Sequence, residues 1–127
     1  MRAIDTNVVV RVLVRDEPDQ AAAADAFIGG GAWVSLLVLM ETAWVLRSVY
    51  ERTSAQIAAG IELLLDHETI VVQDADLAER AVAEFRKHPA IGFSDCLILE
   101  QARKTGHLPI GTFGRTLARL SGATRVR

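Results

Sequence analysis

Met1-Arg2-Ala3-Ile4-Asp5-Thr6-Asn7-Val8-Val9-Val10-Arg11-Val12-Leu13 opens the chain, and its reading decides the fold. Arg2–Asp5 reads as a short buried strand. A helix over Thr6–Arg15 follows at once, because Val8, Val9, Val12 and Leu13 fall on one helical face. The same alternation continues to the end of the chain. Pro18 opens a second helix through Phe27, which Gly29-Gly30-Gly31 ends. Trp33–Ser35 reads as a strand. Leu36–Tyr50 reads as a helix, apolar nearly all round and therefore central. Ser54 caps a helix to about His67. Thr69–Val72 is a strand, Ala75–Lys87 a helix, and Ser94–Lys104 another that ends at Gly106. Leu108–Thr112 is a short strand, followed by a helical turn near Arg115–Leu120 and a last strand at Thr124–Val126. Strands separated by helices predict an α/β class with a parallel sheet. In such sheets reactive groups gather at the carboxyl ends of the strands.

Bulk properties agree with one domain over residues 1–127. Half of the residues are hydrophobic and 24% are charged, the balance of a globular chain. No repeat, low-complexity tract or linker interrupts it. A single cysteine, Cys96, excludes an internal disulfide framework and fits a reducing compartment. No uncharged apolar stretch reaches the roughly 18 residues of a membrane helix. Asp5 interrupts any N-terminal signal pattern. Cytoplasmic location, without membrane association, is the expectation.

The net charge of −2 conceals an asymmetry. All sixteen acids lie in residues 1–100, against eight Lys or Arg. Residues 101–127 hold Arg103, Lys104, Arg115, Arg119, Arg125 and Arg127 and no acid. A basic end of this kind suits a polyanionic partner, although a solvated surface explains it too.

Three acids stand in apolar surroundings. Asp5 closes the first strand, Glu41 is the only charge between Ala32 and Leu46, and Asp95 lies in Gly92-Phe93-Ser94-Asp95-Cys96-Leu97-Ile98. A carboxylate in such a run must be exposed, neutral, paired or bound to a cation, because burying it unpaired is costly. Each also has a local explanation. Asp5 fits an N-cap. Asp95 fits the positive end of its helix behind a Ser94 cap. Glu41 fits a wet side of its helix. Taken together they match the oxygen donors that hard divalent cations require. His67, His88 and His107 lack ligand spacing and read as surface or loop residues. Cys96 has no nearby His in sequence, and Trp33 and Trp44 read as core. No phosphate-cradling loop is present, since the three glycines follow a helix and precede a strand.

At these residues the chain resembles the PIN-domain family, and within it the VapC-type toxins of type II toxin–antitoxin modules. The resemblance rests on Asp5-Thr6-Asn7 after a short strand, and on Glu41 in an apolar helix. Gly92-Phe93-Ser94-Asp95 and Gly106-His107-Leu108-Pro109-Ile110 leading to Thr112-Phe113 complete it. It implies a single three-layer α/β/α domain around a central parallel sheet of about four to five strands. It also implies a Mg²⁺- or Mn²⁺-dependent endoribonuclease held in check by a cognate antitoxin protein, with RNA as substrate. By that match Asp5, Glu41 and Asp95 are the catalytic metal ligands. Thr6 and Asn7 orient Asp5, and Thr112 is a polar neighbour of the site. Arg115 and Arg119, four apart on a short helix, are expected to share a face and contact the RNA backbone. A homodimer and a toxin–antitoxin hetero-oligomer are implied as well. The helices Thr6–Arg15, Pro18–Phe27 and Leu36–Tyr50 are the candidate contact surfaces.

One departure matters. The family pattern continues Thr-Phe with an acid, where this chain has Gly114. The alternative reading is therefore a catalytically attenuated module that acts mainly by binding antitoxin and nucleic acid. Other acid-bearing α/β domains fit less well. A receiver needs its Asp at the end of a middle strand, and a haloacid-dehalogenase-type phosphatase needs a second Asp at position 7, which is Asn7 here.

Overall fold

The computed structural model describes residues 1–127. The order is β1 (Arg2–Ala3), α1 (Thr6–Leu13), α2 (Pro18–Ile28), β2 (Ala32–Val34), α3 (Leu36–Ser48), α4 (Ser54–Leu65), β3 (Ile70–Val72), α5 (Ala75–Lys87), α6 (Phe93–Lys104), β4 (Ile110–Thr112) and β5 (Ala123–Arg125). A 3₁₀ turn over Leu117–Arg119 joins the last two strands. The architecture is the expected three-layer α/β/α arrangement, with every strand pairing parallel.

Its sheet is smaller than its strand count. β1, β2 and β3 form one three-stranded sheet in that order, with Ala3 opposite Trp33 and Trp33 opposite Val71. β4 and β5 form a separate pair in which Thr112 faces Arg125. The five strands thus divide three and two. β1 is only two residues long because the chain leaves the sheet after Ile4, whose N–H still donates to the Trp33 carbonyl (3.0 Å), and caps a helix at Asp5.

Local chemistry explains the helix starts. Asp5 caps α1 and Ser35 caps α3, each accepting a backbone N–H three residues on. Pro18 sits in the first turn of α2, where its missing N–H costs nothing. α4 starts one residue earlier than its sequence indicates. Thr53, not Ser54, is the cap, and it forms a reciprocal capping box with Gln56. Ser54 is freed for other bonds, and its hydroxyl donates to the Pro89 carbonyl (3.3 Å).

A continuous apolar core runs from Ile4 to Leu120 and draws on all six helices. Leu39, Ile57, Ile61, Leu64, Leu77, Phe85 and Leu99 are its largest fully buried aliphatic and aromatic groups. Phe85 of α5 meets Phe93 of α6 edge-on, with ring centroids 6.1 Å apart and an interplanar angle of 66°. α3 is central, as its composition requires, but it is not covered all round. Leu37 and Trp44 lie on its outer face, and Trp44 is 63% exposed. A helix apolar at nearly every position cannot declare from sequence which side faces water.

Candidate functional site

Asp5 is held by the turn it makes. In extended backbone at the head of α1, its Oδ1 accepts the Val8 N–H at 3.1 Å. The capping role and an exposed position therefore coexist, and the second carboxylate oxygen has no partner in the chain. Glu41 lies in the middle of α3, also exposed. The Thr6 hydroxyl, buried beneath it, donates to Glu41 Oε1 across 35 residues of sequence. A buried hydroxyl must find an acceptor, and an ionised carboxylate is a strong one. Thr6 thus positions Glu41 rather than Asp5. Asn7 makes no hydrogen bond to Asp5 either; it points along the groove between α1 and α2 with Val8 and Phe27.

Asp95 sits in the first turn of α6, exposed, where the helix dipole favours its charge. Gly92 occupies the cap position and makes no side-chain cap bond, so Ser94 lies inside the helix instead of capping it. Next to Asp95, Cys96 is fully buried. Burial, and then the negative charges of Glu84, Asp95 and Glu100, push its thiol up to about 12. It is a protonated core group at neutral pH. Iodoacetamide should leave Cys96 unmodified in the folded protein and label it completely in urea, as read by intact mass. Rapid labelling under native conditions would contradict this burial.

The helices that carry these acids pack together, α1 on α3 and α3 on α6. None of Asp5, Glu41 and Asp95 is among the carboxylates that pair with Arg or Lys. In donor chemistry the set fits a hard divalent cation: all oxygen, exposed and without a competing protein cation. In arrangement it is open, since no three His, Cys, Asp or Glu side chains are grouped closely enough to grasp one ion.

Thr112, at the carboxyl end of β4, is turned inward on its own chain. Its Oγ1 accepts the Gly114 N–H at 2.9 Å, forming a tight turn. Gly114 is exposed, and its backbone does not require glycine: it is not among the positive-φ positions. A Cβ there would meet only Thr112 Oγ1, at 3.3 Å. Phe113 beside it is 76% exposed.

The basic end is less uniform than its composition. Arg103 is taken by Glu100 (3.1 Å), and Lys104 by Asp74 and Asp76 (3.2 Å each). Arg115, Arg119, Arg125 and Arg127 remain exposed without a carboxylate partner. Arg115 and Arg119 do not share a helical face, because Arg115 precedes the 3₁₀ turn and only Arg119 belongs to it. His67 serves its own loop, its Nδ1 accepting the Thr69 N–H at 3.2 Å. His88 and His107 are exposed. No helix is long and apolar enough to cross a membrane.

A search of curated proteins by sequence returned no match. Among solved structures, the chain is similar to Mycobacterium tuberculosis VapC20, described as a sarcin–ricin loop cleaving toxin. The two share 20% identity with a TM-score of 0.45, over 100% of this chain and 99% of that one. The family model for the PIN domain matches residues 3–123. That span takes in Asp5, Glu41 and Asp95 together with β2, β3 and β4 and part of β1 and β5, and the chain belongs to the PIN-domain family.

Proposed function

We propose that this protein is a Mg²⁺- or Mn²⁺-dependent endoribonuclease, the toxin of a VapC-type toxin–antitoxin pair. PIN domains are typically nucleases, and such nucleases generally use divalent ions. The observation that carries the reading is the set of exposed, unpaired carboxylates Asp5, Glu41 and Asp95 on packed helices, with Glu41 tied to the residue after Asp5. These three would hold the ion. When bound, an ion of this class acidifies water and stabilises charge on a phosphate.

The chain's own residues supply the remaining work. The Val8 N–H fixes the direction of Asp5, and the Thr6 hydroxyl fixes that of Glu41. No protein nucleophile is needed, and Cys96 is buried and protonated. The carboxylates repel a polyanion, so the unpaired arginines Arg115, Arg119, Arg125 and Arg127 are the natural contacts to the RNA backbone. Asn7 and Thr112 complete the polar surroundings. A cytoplasmic setting, a homodimer and a hetero-oligomer with a cognate antitoxin belong to the same proposal.

Gly114 favours a second reading, an attenuated nuclease that mainly binds antitoxin and nucleic acid. The two separate by substitution. The φ at 114 is not in the left-handed region, and a Cβ there meets only the Thr112 hydroxyl, at 3.3 Å, so Gly114→Asp should fold with a small shift of the Thr112 side chain. On total RNA with Mg²⁺ or Mn²⁺ we expect measurable cleavage by the native chain, abolished by chelation. We expect roughly a tenfold or greater gain in Gly114→Asp, the effect of about 1.4 kcal/mol in the barrier. Cleavage only in the Gly114→Asp protein would favour the attenuated reading. Absence of cleavage in both would remove the nuclease.

A further inference from the structure

Trp44 is a large aromatic side chain that the core does not use, 63% exposed. It lies three residues after Glu41 on α3, so the two occupy neighbouring positions on one helical face. Trp44 lines a cavity of about 110 Å³ together with Arg47, Ile57, Phe85, Gly92, Phe93 and Ser94. Ser94 immediately precedes Asp95. The cavity therefore adjoins both the helix of Glu41 and the helix start that carries Asp95.

Arg47 gives this rim its charge. Its Nη2 donates to Ser54 Oγ at 2.8 Å, and the Ser54 hydroxyl donates onward to the Pro89 carbonyl. The guanidinium is thus oriented, yet no carboxylate neutralises it. Arg11, Arg15, Arg86 and Arg103, by contrast, each have an acidic partner. An exposed indole beside an oriented, unneutralised guanidinium matches the two parts of a nucleotide, a flat base and a phosphate. A second copy of this chain fits less well. Covering Leu37 and Trp44 with another protomer would also bury Glu41, which lies between them, and the charge would lose its water.

We propose that the Trp44–Arg47 rim is a subsite for one nucleotide of single-stranded RNA, the base stacked on the indole and an adjacent phosphate on the guanidinium. The assignment rests on the nuclease reading above and names where the strand leaves the carboxylates.

The test is binding of a labelled 12-nucleotide single-stranded RNA in EDTA, followed by anisotropy and by tryptophan emission. Native protein should bind with quenching of its emission. Trp44→Ala should weaken binding roughly 5- to 100-fold, the range of one base–aromatic stack, while Trp44→Phe keeps most of the affinity. Arg47→Gln should reduce the slope of log affinity against log salt by about 0.7, one single-strand phosphate. Unchanged affinity in Trp44→Ala would overturn the subsite, as would no RNA binding by the native chain at low salt. So would a Trp44→Ala protein whose only change is its oligomeric state by light scattering. Cleavage of RNA reports separately. If RNA binds through Trp44 but is never cut, the subsite stands and the nuclease reading falls. If cleavage and affinity are both untouched in Trp44→Ala, the reverse holds.

Discussion

Asp5→Asn should retain the stability of the native protein and lose roughly 10²- to 10³-fold in metal-dependent RNA cleavage. The two halves of that expectation have different causes. As an N-cap, Asn accepts the Val8 N–H about as well as Asp does, so α1 keeps its start. As a metal ligand, the neutral amide loses the charge that attracts the ion. Metal stabilisation of a phosphate transition state amounts to several kcal/mol, and each 1.4 kcal/mol is a factor of about ten in rate. Asp5→Ala removes both functions. It should be as inactive and should also lose about 1 kcal/mol of stability, the ordinary cost of a missing cap. At this chain length that is a drop of roughly 4 °C in melting temperature. Thermal unfolding and a cleavage time course on both variants decide the matter. An Asp5→Asn protein as active as the native one would reduce Asp5 to a helix cap and overturn the metal proposal.

Phe85→Ala should cost about 3 to 5 kcal/mol, the range for truncating a buried aromatic ring. Phe85 is only 1% exposed and stands edge-on to Phe93, the first residue of α6. Truncation opens a void between α5 and α6 that close-packed neighbours cannot fill. Natural domains are stable by about 5 to 15 kcal/mol, so this single change removes a large share. The melting temperature should fall by roughly 12 to 20 °C. Because Phe93 lies two residues before Asp95, the variant should also lower RNA cleavage at temperatures where it remains folded. Urea unfolding with a loss below about 1 kcal/mol would mean that α5 and α6 are not packed as described.

The helix starts were readable because each is set by neighbours in sequence. Asp5 and Pro18 mark their helices by chemistry that acts over three or four residues. Thr53 shows the resolution of that reading: two adjacent hydroxyls compete for one cap, and only the partner Gln56 selects between them. Ser94 shows its error, since a good capping residue is passed over when the chain turns at Gly92. The candidate site was legible as three acids in the wrong surroundings. Thr6 was misassigned because its choice between Asp5 and Glu41 depends on where α3 lies, and nothing near residue 6 records that.

The sequence by itself determined the succession of strands and helices and the identity of the three isolated acids. These follow from periodicity, local hydrogen bonding and the cost of placing charge among apolar groups. Tertiary structure alone decided three further matters. It joined Thr6 to Glu41 across 35 residues. It neutralised Arg103 and Lys104 but left Arg47 and the last arginines unpaired. It also turned Trp44 outward beside the candidate site. All three depend on which face of an element meets which neighbour. A helix that is apolar on every side, such as α3, leaves that choice to packing.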